Sequence, residues 1–151
     1  MKLRELMTAA VITAGREEST LSVAQTMRDR GVGSVVVIDD GGEPTAIVTD
    51  RDLTLRVIAA DRSAADLPIG ECATTPLICG ETDMELEEAA ALMVQHRVRR
   101  LPVVEPDGGP LAGIVTLDDI AVCTGDLEVA QRMTAEVIEG ALPEFFFHER
   151  G

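Results

Sequence analysis

Two stretches of this 151-residue chain end in almost the same phrase, Ala46-Ile47-Val48-Thr49-Asp50-Arg51-Asp52-Leu53 and Gly113-Ile114-Val115-Thr116-Leu117-Asp118-Asp119-Ile120. The phrases lie 67 positions apart, and upstream the echo continues at 66, pairing Thr8 with Thr74, Ala24 with Ala90, Met27 with Met93, Val32 with Val98 and Val37 with Val103. One unit is written twice, and the single-residue difference falls in a turn. A repeat of about sixty residues cannot bury its own apolar face, so it is expected to pack against its copy and leave pseudo-symmetric clefts at the join. At this chain length the two repeats are expected to share one core.

Apolar residues make up 46% of the chain but aromatics only 2%, with no Trp or Tyr, so that core must be built from Val, Ile, Leu, Ala and Met. No apolar run approaches the roughly 20 residues that span a bilayer. The opening Met1-Lys2-Leu3-Arg4-Glu5-Leu6 carries charges where a signal peptide is apolar, so a cytoplasmic protein without a membrane partner is expected. Cys72, Cys79 and Cys123 form an odd set without repeated spacing, which fits a reducing compartment and small core residues rather than a disulfide framework. A formal charge of −14 repels nucleic acid. A small anion can still bind where local arginines and backbone N–H groups outweigh that field, which salt screens within about 8 Å.

The first repeat, 1–62, reads as a strand at Ala10-Val11-Ile12-Thr13, a helix from Ser19 to Arg30 with Leu21, Val23, Ala24 and Met27 on its apolar face, and a stop at Gly31. A β-branched strand then runs from Gly33 to Ile38, Asp40-Gly41-Gly42 turns the chain, Ala46-Ile47-Val48 returns, and Thr49 opens a helix to about Ala60. The second repeat, 63–125, gives a strand at Pro76-Leu77-Ile78, a helix from Met84 to His96, strands at Leu101–Val104 and Leu111–Val115 around the turn Asp107-Gly108-Gly109, and a helix from Asp118. The order is β-α-β-β-α twice. Asp61 to Gly70, polar, Ala-rich and broken by Pro68, reads as the linker. A tail at 126–151 adds an amphipathic helix to about Leu142 and the aromatic cluster Phe145-Phe146-Phe147, which either folds over its own core or meets a partner.

Each repeat runs from a strand into Thr-x-x-Asp, at Thr49 to Asp52 and Thr116 to Asp119. This spacing is close to a helix capping box, which by itself explains both residues. The same geometry also offers helix-start N–H groups and a hydroxyl to a phosphate, and a carboxylate to the two hydroxyls of a ribose. Arg97, Arg99 and Arg100 cluster just before Leu101-Pro102-Val103-Val104 in an otherwise acidic protein, where guanidinium groups suit phosphate. Strand alternation would put Arg97 and Arg99 on one side and Arg100 on the other. The first repeat has Gly31, Gly33 and Ser34 at the matching places, so the two clefts should differ in affinity.

Taken together, Leu6-Met7-Thr8 and Cys72-Ala73-Thr74 at the repeat starts, Ala24-x-x-Met27 and Ala90-x-x-Met93 in the first helices, Val98-Arg99-Arg100-Leu101-Pro102-Val103-Val104, and the two Thr-x-x-Asp endings resemble the CBS-domain pair, or Bateman module, over about residues 6 to 125. The version Val48-Thr49-Asp50-Arg51-Asp52-Leu53 is similar to the small stand-alone bacterial members. The resemblance implies an α/β fold of tandem CBS repeats packed about a pseudo-twofold axis, a homodimer of such modules, and an adenosyl ligand (AMP, ADP, ATP or S-adenosylmethionine) in the inter-repeat clefts. It implies that Asp52 and Asp119 hold ribose, Thr49 and Thr116 contact ribose or phosphate, Arg99 and Arg100 meet phosphate, and Thr8, Ile12, Thr74, Ile78, Val32 and Val98 line the adenine slot. Ala46, where the second repeat has Gly113, and the uncharged Gly33-Ser34 depart from the pattern.

Cys72, Cys79, His96, Cys123 and His148 lack the CxxC or HxxH spacing of a zinc site, and His96 reads as a cation at a helix end. Nucleophile-elbow, Walker, metalloprotease and Rossmann motifs are missing, so no catalytic residue, metal or required cofactor is expected. The reading is a non-enzymatic adenosyl sensor acting on an unidentified regulated protein. The alternatives are a ligand-free scaffold module and a metal or redox sensor.

Overall fold

A computed structural model describes residues 1–125; the expected tail helix and Phe145–Phe147 lie outside the described residues. The elements are α1 (Leu3–Leu6), β1 (Thr13–Gly15), α2 (Thr20–Arg30), β2 (Ser34–Ile38), β3 (Pro44–Thr49), α3 (Asp50–Leu53), β4 (Gly80–Glu81), α4 (Leu86–His96), β5 (Arg100–Val104), β6 (Leu111–Thr116) and α5 (Leu117–Thr124). A π-helical stretch, Thr54–Ile58, prolongs α3, and a 3-10 turn spans Ile69–Glu71. The α/β pattern of two β-α-β-β-α repeats is therefore observed. Each repeat has its own three-stranded sheet, ordered β1-β2-β3 and β4-β5-β6. The first strand of each pairs parallel with the second, and β2 pairs antiparallel with β3.

Local chemistry sets most boundaries. Ser19 caps α2 by accepting from the Ser22 N–H at 3.1 Å, and Gly31 ends it at φ 64°, a left-handed backbone that glycine adopts without a Cβ clash. Glu87 and Glu88 in the first turn of α4 and His96 in its last turn complement the helix dipole. Val35, Val36 and Val37 are all buried, as a strand covered on both faces requires. On the expected apolar face of α2, Val23 and Met27 are buried and Ala24 is half-buried, but Leu21 is exposed, and Thr20 is buried instead with its hydroxyl donating to the Leu67 carbonyl at 2.8 Å. The edge strands also lie later than expected, at Thr13–Gly15 and Gly80–Glu81 rather than Ala10–Thr13 and Pro76–Ile78. Pro76 has no N–H to give to a ladder.

The chain forms two compact units that do not follow the repeat boundaries at their starts. The first-repeat unit holds Ala10–Leu77 with Asp107–Leu111, and the second-repeat unit holds Met1–Ala9, Ile78–Pro106 and, within the described residues, 112–125. In the first-repeat unit Thr20 N–H donates to Leu67 O, Ile69 N–H to Glu18 O, Gly70 N–H to Arg16 O and Thr74 N–H to Ile47 O. In the second-repeat unit the same bonds recur as Leu86 N–H to Met1 O, Leu3 N–H to Met84 O, Arg4 N–H to Thr82 O and Thr8 N–H to Ile114 O. The N-terminal segment thus does for the second repeat what 67–74 does for the first. The stretch expected as a linker, Asp61 to Gly70, is exposed over most of its first half but packs at its end, where Leu67 and Ile69 are buried.

Among the described residues the buried apolar side chains form two clusters, one in each unit. Each sheet closes over its own helix and over the exchanged segment. Leu3 and Leu6 enter the second-repeat cluster, each contributing roughly 1.5–3 kcal/mol, while Ile69 and Cys72 enter the other. Among the described residues no helix is long and apolar enough to cross a membrane.

Candidate functional site

The exchange sorts the expected site residues into two sets. Thr8, Ile78, Val98, Arg99, Arg100, Thr116 and Asp119 fall in the second-repeat unit; Ile12, Val32, Thr49, Asp52 and Thr74 fall in the first-repeat unit. In each unit an extended strand runs into a helix through the same turn. Thr49 N–H donates to Asp52 Oδ2 at 2.9 Å and Asp52 N–H to Thr49 Oγ1 at 3.3 Å. Thr116 N–H donates to Asp119 Oδ2 at 2.8 Å and Asp119 N–H to Thr116 Oγ1 at 3.1 Å. Both are complete capping boxes, so each Thr-x-x-Asp satisfies its own helix start.

The residue before β2 or β5 is tied to this turn by a matching bond in each unit. Asp50 N–H donates to Gly33 O at 3.1 Å, and Leu117 N–H donates to Arg99 O at 3.1 Å. In the second-repeat unit that bond sets an arginine beside the helix start. Arg99, Arg100, Thr116, Leu117 and Asp118 line a concavity of about 110 Å³. Alternation does not separate the two arginines as expected, because β5 begins at Arg100 and Arg99 lies outside its pleat. Arg97 closes α4 with φ 55°, where the first repeat uses Gly31. The space suits a phosphate group with part of a sugar; a whole nucleotide fills more than this.

The apolar members of each set are half-buried at the edge of their cluster, Ile78 and Val98 in one and Ile12 and Val32 in the other. Thr8 and Thr74 lie outside the strands, bridging in antiparallel fashion to Ile114 and Ile47. Gly113 accounts for one departure between repeats. A Cβ there would stand 2.6 Å from Met7 Sδ and 2.9 Å from Thr8 O. The first repeat has the small Ala73 in place of Met7, and there Ala46 is accommodated and buried.

The two carboxylates differ in company. Thr74 Oγ1 donates to Asp52 Oδ1 at 3.3 Å and Oδ2 at 3.4 Å, and Arg56 Nη2 lies 3.9 Å from Oδ1. Arg56 Nη1 also donates to the Cys72 carbonyl at 3.0 Å. Among the described residues Asp119 takes only the Thr116 N–H, and Cys123 stands where the first repeat has Arg56. Sequence reasoning missed Arg56; its signal was the i,i+4 spacing from Asp52 on one helix face.

The three cysteines differ in their surroundings. Cys72 is buried, Cys79 half-buried with burial pushing its thiol up, and Cys123 exposed, so the expectation of small core residues holds for Cys72 and not for Cys123. Among the described residues no group of three His, Cys, Asp or Glu side chains is placed to hold a metal ion.

The CBS domain family profile matches residues 3–59 and 69–123. The protein MK0525 of Methanopyrus kandleri is 41% identical over 110 residues, 73% of this chain and 56% of its own length, so this chain spans little more than half of that relative. The crystal structure of Hypoxic Response Protein I with two coordinated zinc ions is similar at a TM-score of 0.73 and 30% identity, over 81% of this chain and 98% of that one. The CBS domain protein PAE2072 of Pyrobaculum aerophilum, complexed with AMP, is similar at a TM-score of 0.74 and 25% identity, over 87% and 99%. Doubled sequence, doubled β-α-β-β-α unit and family match agree: the chain belongs to the CBS domain family and carries two such domains in tandem.

Proposed function

We propose that this protein is a non-enzymatic regulatory module of the cytoplasm, acting as a homodimer, that binds an adenosyl compound (AMP, ADP, ATP or S-adenosylmethionine) at the second-repeat turn. The carrying observation is the concavity in which Arg99, Arg100 and Thr116 meet at the start of α5, next to the half-buried Asp119. Two guanidinium groups and the Thr116 hydroxyl supply phosphate donors, and the carboxylate supplies a diol acceptor. Ile78 and Val98 offer apolar surface to a base. The AMP complex of the Pyrobaculum relative supports the ligand class. Sensing follows if the ligand binds one arrangement of the module better than another.

Thermal denaturation with AMP, ADP, ATP and S-adenosylmethionine tests this. At a hundredfold excess over Kd one of them should raise Tm by roughly 5–10 °C, and Asp119→Ala should remove the rise. No shift with any of the four at millimolar concentration overturns the reading.

One observation favours a second reading, a ligand-free scaffold module. Both capping boxes are closed by the chain's own groups. On that reading Asp52→Ala and Asp119→Ala each lower stability by about 1 kcal/mol and change no binding event.

A further inference from the structure

We propose that the first-repeat turn is a self-occupied site, in which the Thr74 hydroxyl, held in place by Arg56, takes the position of a ribose hydroxyl on Asp52. This inference rests on the reading above and goes beyond it: it states why one of two duplicated turns is closed to the ligand and names the residues that close it.

A vicinal diol binds a carboxylate by donating one O–H to each oxygen, so both oxygens must be open to it. Asp52 offers neither freely. The capping N–H on Oδ2 is common to Asp52 and Asp119 and leaves that oxygen a lone pair; what Asp52 has besides is Arg56 facing Oδ1 and the Thr74 hydroxyl within 3.4 Å of both oxygens. The Asp52 side chain is only 15% exposed, so an incoming sugar must displace these groups rather than add to them.

Arg56 is more than a distant counter-charge. Its Nη1 donates to the Cys72 carbonyl, two residues before Thr74, while its Nη2 reaches toward Asp52, so one guanidinium ties the segment bearing the hydroxyl to the helix bearing the carboxylate. Arg56 sits on the π-helical stretch Thr54–Ile58, whereas the second repeat stays α-helical through Leu117–Thr124. There the residue matching Arg56 is Cys123, which carries no cation and is exposed. Thr8 makes the same backbone bridge as Thr74, yet among the described residues no side-chain hydrogen bond joins it to Asp119.

Equilibrium dialysis of the 151-residue chain with AMP separates this inference from the reading beneath it. The unaltered chain should bind AMP at a single site that Asp119→Ala removes. Adding Arg56→Ala and Thr74→Val to Asp119→Ala should restore a site at least about tenfold tighter than in Asp119→Ala alone, and Asp52→Ala should abolish it. Thr74→Ser, which keeps the hydroxyl, should leave the site closed. Thr74→Val in the otherwise unaltered chain is the milder variant and should add a second bound AMP. A triple variant that melts like Asp119→Ala yet binds no better overturns the inference and leaves the second-repeat site standing. An Asp119→Ala chain that already binds AMP through Asp52 does the same. If the unaltered chain, dialysed in turn against AMP, ADP, ATP and S-adenosylmethionine, binds none of them, both fall together.

Discussion

The turns at Thr49–Asp52 and Thr116–Asp119 share capping bonds, a strand before them and a helix after them, yet one faces Gly33 and Ser34 and the other Arg99 and Arg100. One carboxylate has acquired internal partners, Thr74 and Arg56; the other, among the described residues, keeps only its capping bond. Duplication preserved the backbone device because each helix start needs its donors satisfied. Ligand chemistry is decided by the side chains around that device, and these have diverged.

The contrast can be broken most severely by writing one repeat into the other. Arg99→Gly with Arg100→Ser gives the second repeat the residues of the first, and should weaken AMP binding by more than about tenfold while leaving adenosine affinity nearly unchanged, as calorimetric titration would read. Equal losses for AMP and adenosine would mean the arginines do not meet the phosphate.

A second difference lies under the sites. Gly113→Ala forces a Cβ against Met7 Sδ and the Thr8 carbonyl and should cost about 1–3 kcal/mol in urea denaturation. Adding Met7→Ala copies the Ala46 and Ala73 pairing of the first repeat, and should return part of that loss. Additive costs in the double variant would show that the two positions are not coupled.

The smallest effect concerns the residue that closes the first helix of each repeat. Arg97→Gly removes a left-handed conformation from a residue with a Cβ and should raise stability by about 0.5 kcal/mol, after the added flexibility of the unfolded chain is counted. Gly31→Arg should lower it by a similar amount. Chemical denaturation of the pair checks whether the two sites carry the same backbone requirement.

What was legible in the sequence was local. Ser19, Gly31, Thr49 and Thr116 mark helix ends by chemistry confined to a few neighbouring residues, and the β-branched run Val35-Val36-Val37 announces a doubly covered strand. The exchange of segments was not legible, because nothing in Leu6-Met7-Thr8 says which repeat its backbone will pair with. The same long-range pairing hid the role of 61–70: a polar, Ala-rich average conceals Leu67 and Ile69, which become core only when the segment lies along its sheet. At the site, the Thr-x-x-Asp phrase and the arginine cluster could be read directly. That Thr74 shares a unit with Asp52, and Thr8 with Asp119, required the fold.

An amide-resolved NMR titration with AMP tests the central claim most directly, because it reads both turns of one unaltered chain at once. Arg99, Arg100, Thr116 and Asp119 should shift and saturate together while Thr49 and Asp52 stay in place. Saturating shifts at Thr49 and Asp52, with Thr116 and Asp119 unmoved, would contradict the account.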